Sequence, residues 1–206
     1  MLGIIDYGVG NLASVSNAFA QVEVDAIICD RPREVSQFSH LVLPGVGSFA
    51  CGMNALLTRG WVDEIKEAAR NKKPILGICL GMQFFFDQSV EHGITAGLGL
   101  IPGEVLRLDH HQAVNRIPHV GWNNIEHHQS HPIFKDVKQH IDFYFVHSYC
   151  CVPSHPEHIL ATAHDGAAFV AAVACESIIG LQFHPEKSQP AGVRILKNFS
   201  EWDGGC

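Results

Sequence analysis

The first half of the chain alternates short apolar runs with longer stretches of helical periodicity. Leu2 to Ile5, Val24 to Cys29, Leu41 to Leu43 and Ile75 to Ile78 have the length and apolar content of buried strands. Asn11 to Gln21, Phe49 to Leu57, Trp61 to Ala69 and Met82 to Val90 are the predicted helices between or after them. That order predicts a parallel sheet flanked by helices. From Glu104 to Ala174 the pattern shifts to several short strands with Gly-, Asn- and His-rich turns, which predicts a mixed or antiparallel extension. Ile178 to Phe183 returns as a core strand, and Gly192 to Trp202 reads as a closing helix. No repeat or low-complexity linker interrupts the chain, so the expectation is a single α/β domain over residues 1–206 with a mostly parallel central sheet.

One break in this pattern carries chemistry. In Gly77-Ile78-Cys79-Leu80-Gly81 a cysteine sits between two glycines where strand periodicity gives way to helical periodicity. A sharp strand-to-helix turn strains the residue at its tip, and the residues two away must lack bulk for strand and helix to approach. The layout is that of a nucleophile elbow, with a helix N-terminus behind the sulfur to favour a thiolate.

A thiolate nucleophile needs a base and a group to orient that base, and Leu181-Gln182-Phe183-His184-Pro185-Glu186 supplies both. If the segment ends a strand, residues two apart share a face, so His184 and Glu186 sit side by side. Pro185 cannot donate to a ladder, which predicts that pairing stops there. Cys79 and His184 are 105 residues apart, so the fold must bring them together.

Strand ends in parallel sheets carry ligands. Pro44-Gly45-Val46-Gly47 follows the strand at Leu41 to Leu43 and so lies beside the elbow. Read blandly it is a Pro-Gly turn. Read functionally, N–H groups of Val46, Gly47 and Leu80 form an oxyanion hole for a tetrahedral intermediate.

Composition narrows the setting. The net charge is −7 with no basic block, which argues against nucleic acid or an anionic membrane surface as partner. No run reaches the length of a membrane span, the N-terminus lacks the basic start of a signal peptide, and seven cysteines without a paired framework suit free thiols. These features predict a cytoplasmic protein. Cys29, Cys51, Cys150, Cys151, Cys175 and Cys206 read as core or surface thiols; Cys79 differs by its glycine frame.

Gly77-Ile78-Cys79-Leu80-Gly81-Met82-Gln83 together with His184-Pro185-Glu186-Lys187-Ser188 resembles the triad (class I) glutamine amidotransferases. Ile5-Asp6-Tyr7-Gly8-Val9-Gly10-Asn11-Leu12, Leu43 to Phe49, Pro118 to Asn123 and Phe145 to Tyr149 resemble one subgroup, the glutaminase subunits of imidazole glycerol phosphate synthase. The resemblance spans the whole chain. It implies glutamine hydrolysis by Cys79, His184 and Glu186 through a thioester, with Gly47, Gln83, Ser148 and Tyr149 holding the substrate. It further implies a heterodimer with a cyclase subunit that receives the ammonia, no cofactor, and a loop at residues 44–47 that reorients on activation. Partner contact is then expected at Pro118, His119, Gly121, Trp122, Asn123 and Lys187. Without the resemblance, Trp122 reads as a half-buried core aromatic and Lys187 as a solvated charge.

Three alternatives stand beside this reading. They are a paralogue supplying ammonia for surface-polysaccharide sugar amidination, a γ-glutamyl hydrolase or cysteine peptidase on the same scaffold, and a binding subunit with a relic site. The amidotransferase-like N-terminal segments disfavour the second, and the complete triad disfavours the third. Fourteen histidines also raise a metal hypothesis. His110 with His111, His127 with His128 and His131, and His155 with Glu157 and His158 are close in sequence, yet none has the spacing of a tetrahedral site. Solvated turns account for them, and no metal is expected.

Overall fold

Strands that are buried on both faces have no polar side to show, and four segments obey that rule. In the computed structural model, which describes residues 1–205 apart from 110–113 and 115, they are β1 (Leu2–Ile5), β3 (His40–Gly45), β4 (Ile75–Cys79) and β13 (Ile178–Leu181). With β2 (Ala26–Cys29) at the edge, they form the parallel half of a nine-stranded sheet in the order β2-β1-β3-β4-β13. As an edge strand, β2 leaves Ile27 and Ile28 exposed.

The sheet then turns antiparallel through β12 (Ala167–Cys175), β11 (Ile159–Asp165), β8 (His119–His127) and β9 (Asp142–His147). The mixed extension predicted after residue 104 is therefore largely a continuation of the central sheet. A separate four-stranded sheet is built from β10 (Tyr149–Pro153), β7 (Ile101–Arg107), β5 (Phe86–Ser89) and β6 (Thr95–Ala96).

Helices cover both faces of the large sheet. On one side α1 (Leu12–Ala20) and α5 (Gln189–Glu201) place Val15, Phe19, Ile195, Leu196 and Phe199 against Ile4, Val42 and Leu76. On the other, α2 (Phe49–Thr58), α3 (Trp61–Arg70) and the small sheet pack Phe49, Leu56, Trp61, Ile65 and Ile101 against Ile5, Leu41 and Leu43. Burying a side chain of this size stabilises the fold by about 2 kcal/mol. The Asn11 side chain caps α1 by accepting from the Ser14 N–H at 3.3 Å, which explains why the helix begins there. Among the described residues no helix is long and apolar enough to cross a membrane.

One predicted element is corrected. The expected helix from Met82 to Val90 is a single turn, α4 (Leu80–Gln83), followed by strand β5. Phe84, Phe85 and Phe86 are all fully buried, so the run has no polar side from which a helical period could be read. Their carbonyls bond across to the segment before β7: Leu98 N–H to Phe84 O at 2.7 Å, Leu100 N–H to Phe85 O at 2.7 Å and Gly99 N–H to Phe86 O at 3.1 Å. Tertiary pairing has replaced the helical bonds.

Candidate active site

The register of the parallel strands brings the site together. Gly45 of β3 pairs with Cys79 of β4, and Leu181 of β13 pairs with Ile78, so three carboxyl ends leave the sheet side by side. Cys79 is the tip of the predicted elbow, with φ 54° and ψ −109°, a left-handed conformation rare for a residue with a side chain. The flanking glycines are required: a Cβ on Gly81 would lie 1.8 Å from the Leu43 carbonyl oxygen, and one on Gly77 would lie 2.5 Å from the Phe85 ring. Because α4 is one turn, the dipole expected behind the sulfur is that of four residues only.

His184 and Glu186 meet as expected, but by a different route. β13 ends at Leu181, and residues Pro185–Lys187 form a 3₁₀ turn, so strand alternation is not what aligns the two side chains. The turn is held by the His184 N–H donating to Tyr144 O at 2.9 Å and the Ser188 hydroxyl donating to His184 O at 2.6 Å. Within it, His184 Nδ1 lies 2.7 Å from Glu186 Oε1, with both side chains almost fully buried. Burial pushes the His184 pKa down, but the adjacent Cys79 sulfur and the Glu186 carboxylate outweigh it and hold the value at about 9. His184 Nε2 and Glu186 Oε2 are buried, with no hydrogen-bond partner among the described residues. The Cys79 sulfur lies 3.8 Å from Val146 O and receives the Gln182 side-chain N–H at 3.7 Å.

Cys79 and His184 open into a cavity of about 340 Å³, within the size range of small-molecule sites. Val46, Gly47 and Leu80, read as oxyanion donors, line it, as do Gln83, Ser148 and Tyr149, read as substrate contacts. Both N–H groups of Gln83 are already engaged, by Tyr149 O at 3.2 Å and Gln182 Oε1 at 3.1 Å, so they are not free to donate to a ligand. Pro118, expected at a partner surface, also lines the cavity.

The other residues expected at a partner surface divide by burial. Trp122 is 49% exposed, so it is not a core aromatic, and its ring meets Tyr144 edge-on. Lys187 holds its ammonium 5.4 Å above the same Tyr144 ring. Gly121 and Asn123 are partly exposed. His119, by contrast, is only 7% exposed and turned inward to His147, so it cannot share that surface.

Glu91, Val146, His147 and Gln182 were given no site role from the sequence. Glu91 places a carboxylate in the cavity wall, where Oε2 accepts the Phe49 N–H at 2.6 Å. Gln182 touches the sulfur, and His147 lines the cavity. Gln182 lies beside the His184 motif, and Val146 and His147 lie inside the Phe145 to Tyr149 segment, whereas Glu91 had no neighbouring signal.

The clustered histidines have local occupations. His127 stacks on Phe134, His128 bonds the Thr162 hydroxyl, and His131 Nδ1 accepts the Ile133 N–H. His155 and His158 meet edge-on. His110, His111 and Cys206 lie outside the described residues. Among the described residues no group of three or more His, Cys, Asp or Glu is arranged to hold a metal ion.

Comparison with known proteins places this geometry in a lineage. The glutamine amidotransferase class-I family matches residues 3–202. The chain is 41% identical to the imidazole glycerol phosphate synthase subunit HisH of Chlorobaculum tepidum, covering 98% of this chain and all of that protein. It is 45% identical to the HisH subunit of Desulfitobacterium hafniense strain DCB-2, covering 98% of this chain and 94% of that one. Among solved structures, a glutamine amidotransferase crystal structure and the PurLQS structure from Thermotoga maritima each superpose with a TM-score of 0.75 over 97% of both chains. Their identities of 17% and 18% speak to fold alone. The chain belongs to the class-I glutamine amidotransferases and, within them, to the family of HisH subunits of imidazole glycerol phosphate synthase.

Proposed function

We propose that this chain hydrolyses glutamine to glutamate and ammonia with Cys79, His184 and Glu186, as the glutaminase subunit of imidazole glycerol phosphate synthase in histidine biosynthesis. The observation that carries the chemistry is the cavity in which the strained Cys79 and the Glu186-anchored His184 both stand. Family membership carries the pathway, and full-length identity to HisH subunits favours it over sugar amidination.

The sulfur attacks the side-chain carbonyl of glutamine as a thiolate, its proton held on His184, whose raised pKa keeps the imidazole charged at neutral pH. The oxygen of the tetrahedral intermediate is received by backbone N–H groups of Val46, Gly47 and Leu80, each donor being worth about 3 kcal/mol of barrier. His184 gives its Nε2 proton to the departing ammonia, leaving a thioester on Cys79. His184 then takes a proton from the water that releases glutamate. Glu186 keeps Nδ1 occupied throughout, so that Nε2 faces the reacting atoms. Gly47, Gln83, Ser148 and Tyr149 hold the amino acid, and the Glu91 carboxylate in the wall meets its ammonium group.

A cyclase subunit docks over the exposed row of Val120, Trp122 and Val146, with Gly121, Asn123, Pro118 and Lys187 around it. It receives the ammonia in un-ionised form and makes imidazole glycerol phosphate and an aminoimidazole carboxamide ribotide. The residues act as one domain over 1–206, in the cytoplasm, a setting supported by the free thiols of Cys29, Cys51, Cys79 and Cys151. Labelling with 6-diazo-5-oxo-L-norleucine, a glutamine-shaped electrophile, tests the assignment. One adduct on Cys79, suppressed by glutamine, is expected; labelling at another cysteine contradicts it.

A further inference from the structure

Two more imidazoles lie buried, one in the cavity wall and one beyond it, and their hydrogen bonds have only one consistent direction. His119 and His147 face each other directly across the β8–β9 ladder, 7% and 6% exposed. His147 Nδ1 lies 2.9 Å from the Tyr149 carbonyl oxygen. A carbonyl only accepts, so this nitrogen carries the proton, and in a neutral ring Nε2 is then an acceptor. That Nε2 lies 3.0 Å from His119 Nδ1, which must therefore be the donor. His119 Nε2 is left to accept, and the Asn123 amide N–H is 3.5 Å away, its other N–H bonding His164 O at 2.6 Å. Burial keeps both rings neutral, holding the His147 pKa at about 4 and lowering that of His119.

The direction converges on one atom. Tyr149 O receives His147 from one side and the Gln83 amide from the other, and Gln83 is tied through Gln182 to the Cys79 sulfur. Phe145 and Phe169 enclose both rings. Apolar side chains would fill such a space without the desolvation cost of two imidazoles, so the pair must act through its polarity.

We propose that His119 and His147 are positioning residues: as two Nδ1–H imidazoles in series they hold the Ser148–Tyr149 wall of the cavity in place for substrate. The inference rests on the reading of that cavity as the glutamine site. His147 lines the cavity but acts here through its ring nitrogens, and His119 reaches the substrate only through His147.

The test uses the full chain with its cyclase partner and compares His119→Leu, which removes both bonds, with His119→Asn, whose amide can replace Nδ1 as donor. Imidazole ¹⁵N NMR of the wild type is expected to show the Nδ1–H tautomer for both rings, which packing alone would not impose. His119→Leu is expected to raise KM for glutamine about tenfold with kcat changed by no more than about twofold, and His119→Asn to recover most of the loss. An Nε2–H tautomer for His147, or equal KM values in the wild type and His119→Leu, overturns the positioning role, and the NMR result holds even if a variant folds poorly. A wild type that hydrolyses no glutamine overturns the substrate reading itself, an outcome distinct from an active wild type that is indifferent to His119→Leu.

Discussion

Glu186 Oε1 lies 2.7 Å from His184 Nδ1, and that contact decides which edge of the imidazole faces the sulfur. With Nδ1 occupied, Nε2 is the nitrogen left for proton transfer, and among the described residues it has no hydrogen-bond partner. Glu186→Gln keeps an oxygen of similar position but removes the charge that stabilises the imidazolium. We expect kcat for glutamine hydrolysis to fall by about a hundredfold or more with folding intact. Steady-state kinetics beside circular dichroism checks this, and a variant with wild-type kcat would remove Glu186 from the mechanism.

The elbow makes a stability prediction. Gly81→Ala places a Cβ 1.8 Å from the Leu43 carbonyl oxygen, an overlap with backbone that no rotamer relieves. It should destabilise the fold by about 3 kcal/mol or more. Gly47→Ala meets nothing within 4 Å among the described residues, and its φ of 97° is the unfavourable feature, so its cost should be about 1 kcal/mol. Urea unfolding of the two variants should separate them clearly; equal midpoints would contradict the packing described at the elbow.

Stability should also depend on His184 protonation. Its pKa rises from 6.5 to about 9 on folding, so the folded state binds the proton more tightly. The stabilisation is fully present below about pH 6.5 and is lost as pH rises through about 9. The stability difference between wild type and His184→Gln, from urea unfolding at several pH values, should therefore shrink from pH 6.5 to 9.5. A difference that grows over that range would reverse the sign of the coupling.

Glu91 is predicted to act on substrate binding. Its carboxylate lies in the cavity wall and already accepts the Phe49 N–H. Glu91→Gln should raise KM for glutamine by about tenfold or more while kcat changes little, because a charge-assisted contact to the ammonium group is lost. Unchanged KM would show that the carboxylate serves only the loop.

How much of this was legible in the chain follows from burial and from local constraint. β1, β3, β4 and β13 were readable because strands covered on both faces are unbroken apolar runs. The elbow was readable because its glycines answer a local steric demand. His184 and Glu186 were readable as neighbours, although a 3₁₀ turn rather than a strand brings them together. The segment after Gln83 was not, because three successive buried phenylalanines look alike in a helix and in a strand. Losing that segment also hid Glu91, which lines the cavity from the turn two residues past the end of β5. The pairing of His119 with His147 had no local signal: each lies in a segment singled out by resemblance, but the two meet only through the β8–β9 register, 28 residues apart in sequence.

Whether Cys79 performs glutamine hydrolysis on behalf of a cyclase partner is tested by glutamate and ammonia release from this chain alone, from the chain with the cyclase subunit and its nucleotide substrate, and from Cys79→Ser in the same complex. Release is expected to be strongly stimulated by the partner and abolished in Cys79→Ser while the complex still forms. Release that persists in Cys79→Ser, or no release by the wild-type complex, would contradict that role of Cys79.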